Sequence, residues 1–117
     1  MILYAYAKCS TCQAAVRYLE KKGVAFTSKE ITQTPPTIEE LTRMLACQEG
    51  QLRKLFNTSG LLYKEMELKD KIEHMPLNVA LGLLNEHGML VKRPFLLGDG
   101  FGLLGFNEKK WSEVLSV

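Results

Sequence analysis

The chain has 117 residues, enough for one domain with a real core. Hydrophobic residues make up 46% and charged residues 24%, which excludes a disordered or fibrous chain; 15 basic against 13 acidic residues argue for neither a nucleic-acid nor a membrane surface. The apolar start Met1–Ala7 is too short for a membrane span and lacks the flank and core of a signal peptide, so a cytoplasmic protein is expected.

In chain order, "MILYAYA" is apolar and aromatic, as a buried strand is, and it stops at a Lys-Cys-Ser-Thr-Cys turn. From Ser10 the period becomes helical through Ala14, Ala15, Tyr18 and Leu19, and Gly23 is a helix stop. "VAFTSKEI" then reads as a second strand. Strand, helix and strand in this order form a βαβ unit with parallel strands and a right-handed crossover.

The adjacent prolines of "TQTPPT" keep the chain extended, and Thr37 with Glu39 and Glu40 caps a helix that should end near Gly50. From Gln51 to Gly88 the pattern stays mostly helical, through "QLRKLFN", "LLYKEMELKDKIE" and a restart at Met75-Pro76, with Pro76 in a first turn. Two apolar runs around Gly98-Asp99-Gly100 signal an antiparallel hairpin, and "NEKKWSEVLSV" closes the chain as a helix. The expected fold is one α/β domain over residues 1–117: a mixed sheet of βαβ and ββα parts with a helical insertion at about 37–88.

The chemistry concentrates at the first strand-to-helix junction. A thiol attacks as thiolate, and a helix N-terminus offers free amides and a positive dipole end to that charge, so Cys9 is the candidate nucleophile. Cys12 lies one helical turn on, within reach for a second attack, and is the candidate resolving thiol. Packing and metal ligation are the alternatives. A structural zinc site usually needs four ligands, and Cys47, His74 and His87 are scattered along the chain. Cys47, near Met44 and Leu45, reads as core or edge filler, and the histidines as solvated or capping groups. Arg93 precedes Pro94 at the start of an apolar strand, a place where a cis turn is common; from there a guanidinium could stabilise a thiolate or grip an anion. Lys8, next to Cys9, is a second candidate cation. No cofactor and no metal are expected.

The segments "KCSTC", "FNTSG" followed by "LLYKE", "MPLNVALGLLNEHGMLVKRPFLL" and "LLGFNEKKW" together resemble the arsenate reductase family of thioredoxin-like proteins, most closely its Spx-like branch. The resemblance covers nearly the whole chain. It implies a thioredoxin-like four-stranded mixed sheet with an inserted helical subdomain, Cys9 as the reactive thiol and a cis peptide at Pro94. Such arsenate reductases hold the oxyanion with three arginines and take electrons from glutathione through glutaredoxin. Here Arg93 matches one arginine, while Ser59 and Gly105 stand at the other two positions. The Cys-x-x-Cys pair is the feature of the Spx-like branch, whose members bind the C-terminal domain of the RNA polymerase α-subunit partly through a glycine in the insertion; Gly50 is the nearest match. The implied partners are therefore a thiol or disulfide carrier (glutathione, glutaredoxin or thioredoxin) or that polymerase domain, without direct contact to nucleic acid or membrane.

Overall fold

The computed structural model describes all residues, Met1 to Val117. Its main elements are strand β1 (Ile2–Ala5), helix α1 (Ser10–Lys21), strand β2 (Thr27–Glu30), helices α2 (Ile38–Cys47), α3 (Leu61–Glu65) and α4 (Leu77–Glu86), strands β3 (Phe95–Gly98) and β4 (Phe101–Leu104), and helix α5 (Glu108–Leu115). Short 3-10 turns fill the segments around α3 and after α4. No helix is long and apolar enough to cross a membrane.

The strands form one sheet in the order β2-β1-β3-β4. β1 runs parallel to β2 with Ile2 opposite Thr27, and antiparallel to β3 with Leu3 opposite Leu96. β3 and β4 pair antiparallel across Asp99-Gly100, where Gly100 takes a φ of +81° that the tight turn needs. The result is the α/β, thioredoxin-like arrangement expected from the sequence, βαβ then ββα.

Side chains alternate across the sheet, so each strand feeds two cores. Leu3 and Ala5 of β1, Leu96 of β3 and Leu103 of β4 pack with Cys12, Ala15, Tyr18 and Leu19 of α1 and with Trp111 of α5. Tyr4, Phe95 and Leu97 face the other way, against Leu41 and Met44 of α2, Ala80, Leu81 and Leu84 of α4, and Phe56 and Tyr63 between them. The Trp111 indole donates to the Gly105 carbonyl at 3.0 Å and meets Phe106 edge to face at 5.0 Å, which anchors α5.

Several boundaries differ from the sequence expectation, each for a local reason. The capping box at Thr37 is complete: its hydroxyl accepts from the Glu40 amide at 3.1 Å, and the Glu40 carboxylate accepts from the Thr37 amide at 2.9 Å. The helix it starts ends at Cys47, before Gly50, because Glu49 and Gly50 both turn to positive φ. "LLYKEMELKDKIE" breaks after α3, since Glu67 adopts a left-handed conformation with φ +53°, and the rest winds as two 3-10 turns. Pro76 stands just before α4 as its cap residue rather than within its first turn. The second strand is shorter than "VAFTSKEI", only Thr27–Glu30, because Val24–Phe26 are not paired to β1. Cys47, expected in the core or at its edge, is exposed at the end of α2.

Candidate active site at the first strand-to-helix turn

β1 ends at Ala5, and the chain turns through Tyr6, Ala7 and Lys8 into α1, whose N-cap is Cys9. Cys9 has extended dihedrals (φ −92°, ψ 118°), and its sulfur accepts the Cys12 amide at 3.5 Å, which puts the thiol in the place a capping oxygen usually takes. A sulfur there receives an otherwise orphaned helical N–H and the positive end of the dipole. The Cys12 sulfur, buried, accepts the Tyr6 amide at 3.5 Å.

The two thiols have opposite characters. Partial burial pushes the Cys9 thiol up, but the Cys12 amide, the Cys12 thiol and the Arg93 guanidinium outweigh it, so its pKa lies below the ordinary cysteine value. Burial pushes the Cys12 thiol up to about 12, helped by the charge of Cys9 and opposed by the Tyr6 amide. At neutral pH, Cys9 is therefore the thiolate-prone sulfur and Cys12 the protonated one. All three cysteines are free thiols in this structure.

Arg93 reaches the turn from the other side. It is half-buried, its Cζ lies 5.1 Å from the centre of the Tyr6 ring, and its Nη1 points at the Met89 sulfur at 3.8 Å. The Arg93–Pro94 peptide is cis, and the carbonyl of Pro94, a buried residue, accepts the Gly105 amide at 2.9 Å. Lys8 is exposed, and the groups acting on Cys9 are Cys12 and Arg93 rather than Lys8. Gly50 lies away from the turn, exposed, in the loop after α2 with φ +75°. Ser59 is exposed before α3, and the space at Gly105 borders the Lys92 stem, whose Cε would stand 3.4 Å from a Cβ there.

One cleft opens at the turn and another beside Arg93. The first, of about 370 Å³, is lined by Tyr6, Ala7, Cys12, Gln13, Arg17 and Glu30, among others. The second, of about 280 Å³, runs along Arg93, Met89, Asn57 and Leu61. The first of these opens beside the Cys12 side chain. The sequence does not single out Tyr6, because an aromatic residue at the end of an apolar strand reads as core; only the fold brings Arg93 onto its ring.

The ArsC family model matches residues 4–114. The chain belongs to the ArsC family. It is 38% identical over 113 residues to the uncharacterized protein YusI of Bacillus subtilis strain 168, covering 97% of this chain and 96% of that one. It is 27% identical over 115 residues to the global transcriptional regulator Spx 2 of Bacillus anthracis, covering 98% of this chain and 86% of the regulator. Among solved structures, an ArsC family related protein from Bacteroides fragilis superposes with a TM-score of 0.89 at 35% identity, over 97% of this chain and 95% of that one. These likenesses place the chain among ArsC-related proteins and beside Spx-type transcriptional regulators.

Proposed function

We propose that this ArsC-family protein is a cytoplasmic thiol-disulfide exchange protein in which Cys9 attacks and Cys12 resolves. One observation carries the reading: two thiols of opposite proton affinity share the first turn of α1, the lowered one at the cap and the raised one buried behind it. The Cys9 thiolate attacks a substrate disulfide, forming a mixed disulfide and releasing one substrate thiolate. The Cys12 thiol then loses its proton to solvent and attacks the Cys9 sulfur, releasing the second substrate thiol and leaving a Cys9–Cys12 disulfide. Once Cys9 is bonded its negative charge is gone, which removes one of the causes that hold the Cys12 proton. Two protein thiols are oxidised as one disulfide is reduced, and glutathione, glutaredoxin or thioredoxin would return the pair to thiols. Arg93 stabilises the Cys9 thiolate through charge and hydrogen bonding. With Cys12→Ser, oxidised glutathione should leave a mixed disulfide on Cys9, read as a mass adduct. A Cys12→Ser protein that accumulates no adduct contradicts the mechanism.

A second reading, favoured by the likeness to Spx 2 along 98% of the chain, is that the same thiol pair switches a transcriptional regulator. In it the C-terminal domain of the RNA polymerase α-subunit docks near Gly50, at the exposed turn after α2. Purified domain should then bind in one redox state more tightly than in the other; no binding in either state removes this reading. Arsenate reduction is the weakest of the three. An arsenate anion held by Arg93 without arginine at Ser59 or Gly105 forgoes charge-assisted hydrogen bonds worth about 1.5 to 3 kcal/mol each.

A further inference from the structure

One residue of the turn touches both cysteines and Arg93, and it is Tyr6. Its carbonyl accepts the Cys9 amide at 3.0 Å, its own amide donates to the Cys12 sulfur at 3.5 Å, and its ring lies 5.1 Å from the Arg93 Cζ. Following the strand alternation, the Tyr6 side chain points to the same face as Tyr4 and packs against the larger core, across the sheet from Cys12. The residue therefore spans the seam between the thiol side and the arginine side of the site.

The way Arg93 is held matters for what it can do. The one ion pair of the molecule joins Arg53 and Glu73, so no carboxylate neutralises Arg93. Its Nε is buried without a hydrogen-bond partner, and its guanidinium lies over a ring face and near a thioether sulfur. A carboxylate in place of that ring would fix the guanidinium but cancel its field at Cys9. An aromatic face fixes a cation and leaves its charge available. The Tyr6 hydroxyl makes no hydrogen bond within the chain, so the ring face, not the phenol, does the holding.

We propose that Tyr6 is the positioning residue of the thiol site, its ring orienting Arg93 toward Cys9 while its main chain ties the Cys9 amide and the Cys12 sulfur to the end of β1. The proposal rests on the reading of Cys9 as the attacking thiolate. The charged and titratable groups that act on Cys9 are Cys12 and Arg93, so a change at Tyr6 that shifts Cys9 should act through Arg93.

The test is the pH profile of Cys9 alkylation in the full chain, followed by peptide mass mapping, for wild type, Tyr6→Phe, Tyr6→Leu, Arg93→Gln and the Tyr6→Leu/Arg93→Gln double variant. Tyr6→Phe should titrate as wild type. Tyr6→Leu should lower the thiolate fraction below the midpoint by about two- to fivefold, the size of one cation–π contact, and should have no further effect in the Arg93→Gln background. A Tyr6→Leu profile equal to wild type, or one whose shift persists undiminished without Arg93, overturns the proposal while Cys9 keeps its role. A wild-type Cys9 that titrates like a free thiol overturns both. Should Tyr6→Leu not fold, the wild-type protein still decides: stacked on the ring, the Arg93 side-chain protons resonate upfield of free arginine, and free-arginine shifts overturn the proposal.

Discussion

On one face of the sheet α1 and α5 bury nine residues around Trp111; on the other the segment between β2 and β3 buries sixteen around Tyr4, Phe56 and Phe95. The smaller face contains Cys12 and carries Cys9 at its rim, and the larger face backs Tyr6, with Arg93 at its margin. The proposed chemistry therefore lies at the seam, with the cysteines on one side and Arg93, stacked over Tyr6, on the other. Damage to one core should therefore disturb its own half of the site first.

The largest effect is expected from Trp111→Ala. Removing a fully buried indole with its hydrogen bond to Gly105 should cost about 3–5 kcal/mol in denaturant unfolding, and alkylation of Cys12 should rise, because the two share one core. An undisturbed Cys12 would mean that Trp111 does not hold together the core the two share. On the opposite face, Gly88 lies so close to the Ile31 carbonyl that a Cβ there would collide with backbone, and Gly88→Ala should cost about 1–3 kcal/mol while Cys12 stays protected. The same pair of measurements, stability and Cys12 protection, checks both variants.

A smaller effect concerns the cap that starts the larger face. Thr37→Ala should cost about 1 kcal/mol by thermal or chemical unfolding. Glu40 completes this cap and accepts the Tyr4 hydroxyl at 2.7 Å. Burial pushes its carboxyl up, but the Thr37 amide, the Tyr4 hydroxyl, the Thr37 hydroxyl and Lys29 outweigh this, so its pKa is lowered. A carboxyl depressed by folding adds stability above its unfolded pKa, and that stability disappears as pH falls through the folded value. Tyr4→Phe should therefore reduce the acid-side loss; an unchanged acid limb in a pH series of unfolding curves would contradict the role given to this carboxylate.

Much of this was legible in the residues, and the exceptions have physical causes. The apolar run of β1, the helical period after Ser10, the Thr37 cap and the Gly98-Asp99-Gly100 turn each write a local preference that the fold keeps. The stretch from Gln51 to Pro76 does not, because its charged residues follow no single period and Glu67 breaks the helix through a left-handed backbone that its residue type does not announce. The Cys9–Cys12 spacing marks the thiol turn by itself, since both cysteines lie within one helical turn. What surrounds it depends on chain segments that meet only in the folded molecule. Arg93 and Tyr6 stand near opposite ends of the sequence, and Cys47 is solvated only because α2 turns its Leu41 and Met44 side to the sheet.

Whether Cys9 and Cys12 form one working redox couple is decided by thiol mass-tagging across a graded redox buffer with peptide mapping of the bonded pair. A reversible Cys9–Cys12 disulfide is expected, with a potential between about −270 and −120 mV, the span from thioredoxin to strong oxidants, and with Cys47 free throughout. A bond that never forms, or one that joins Cys47 instead, would contradict that couple.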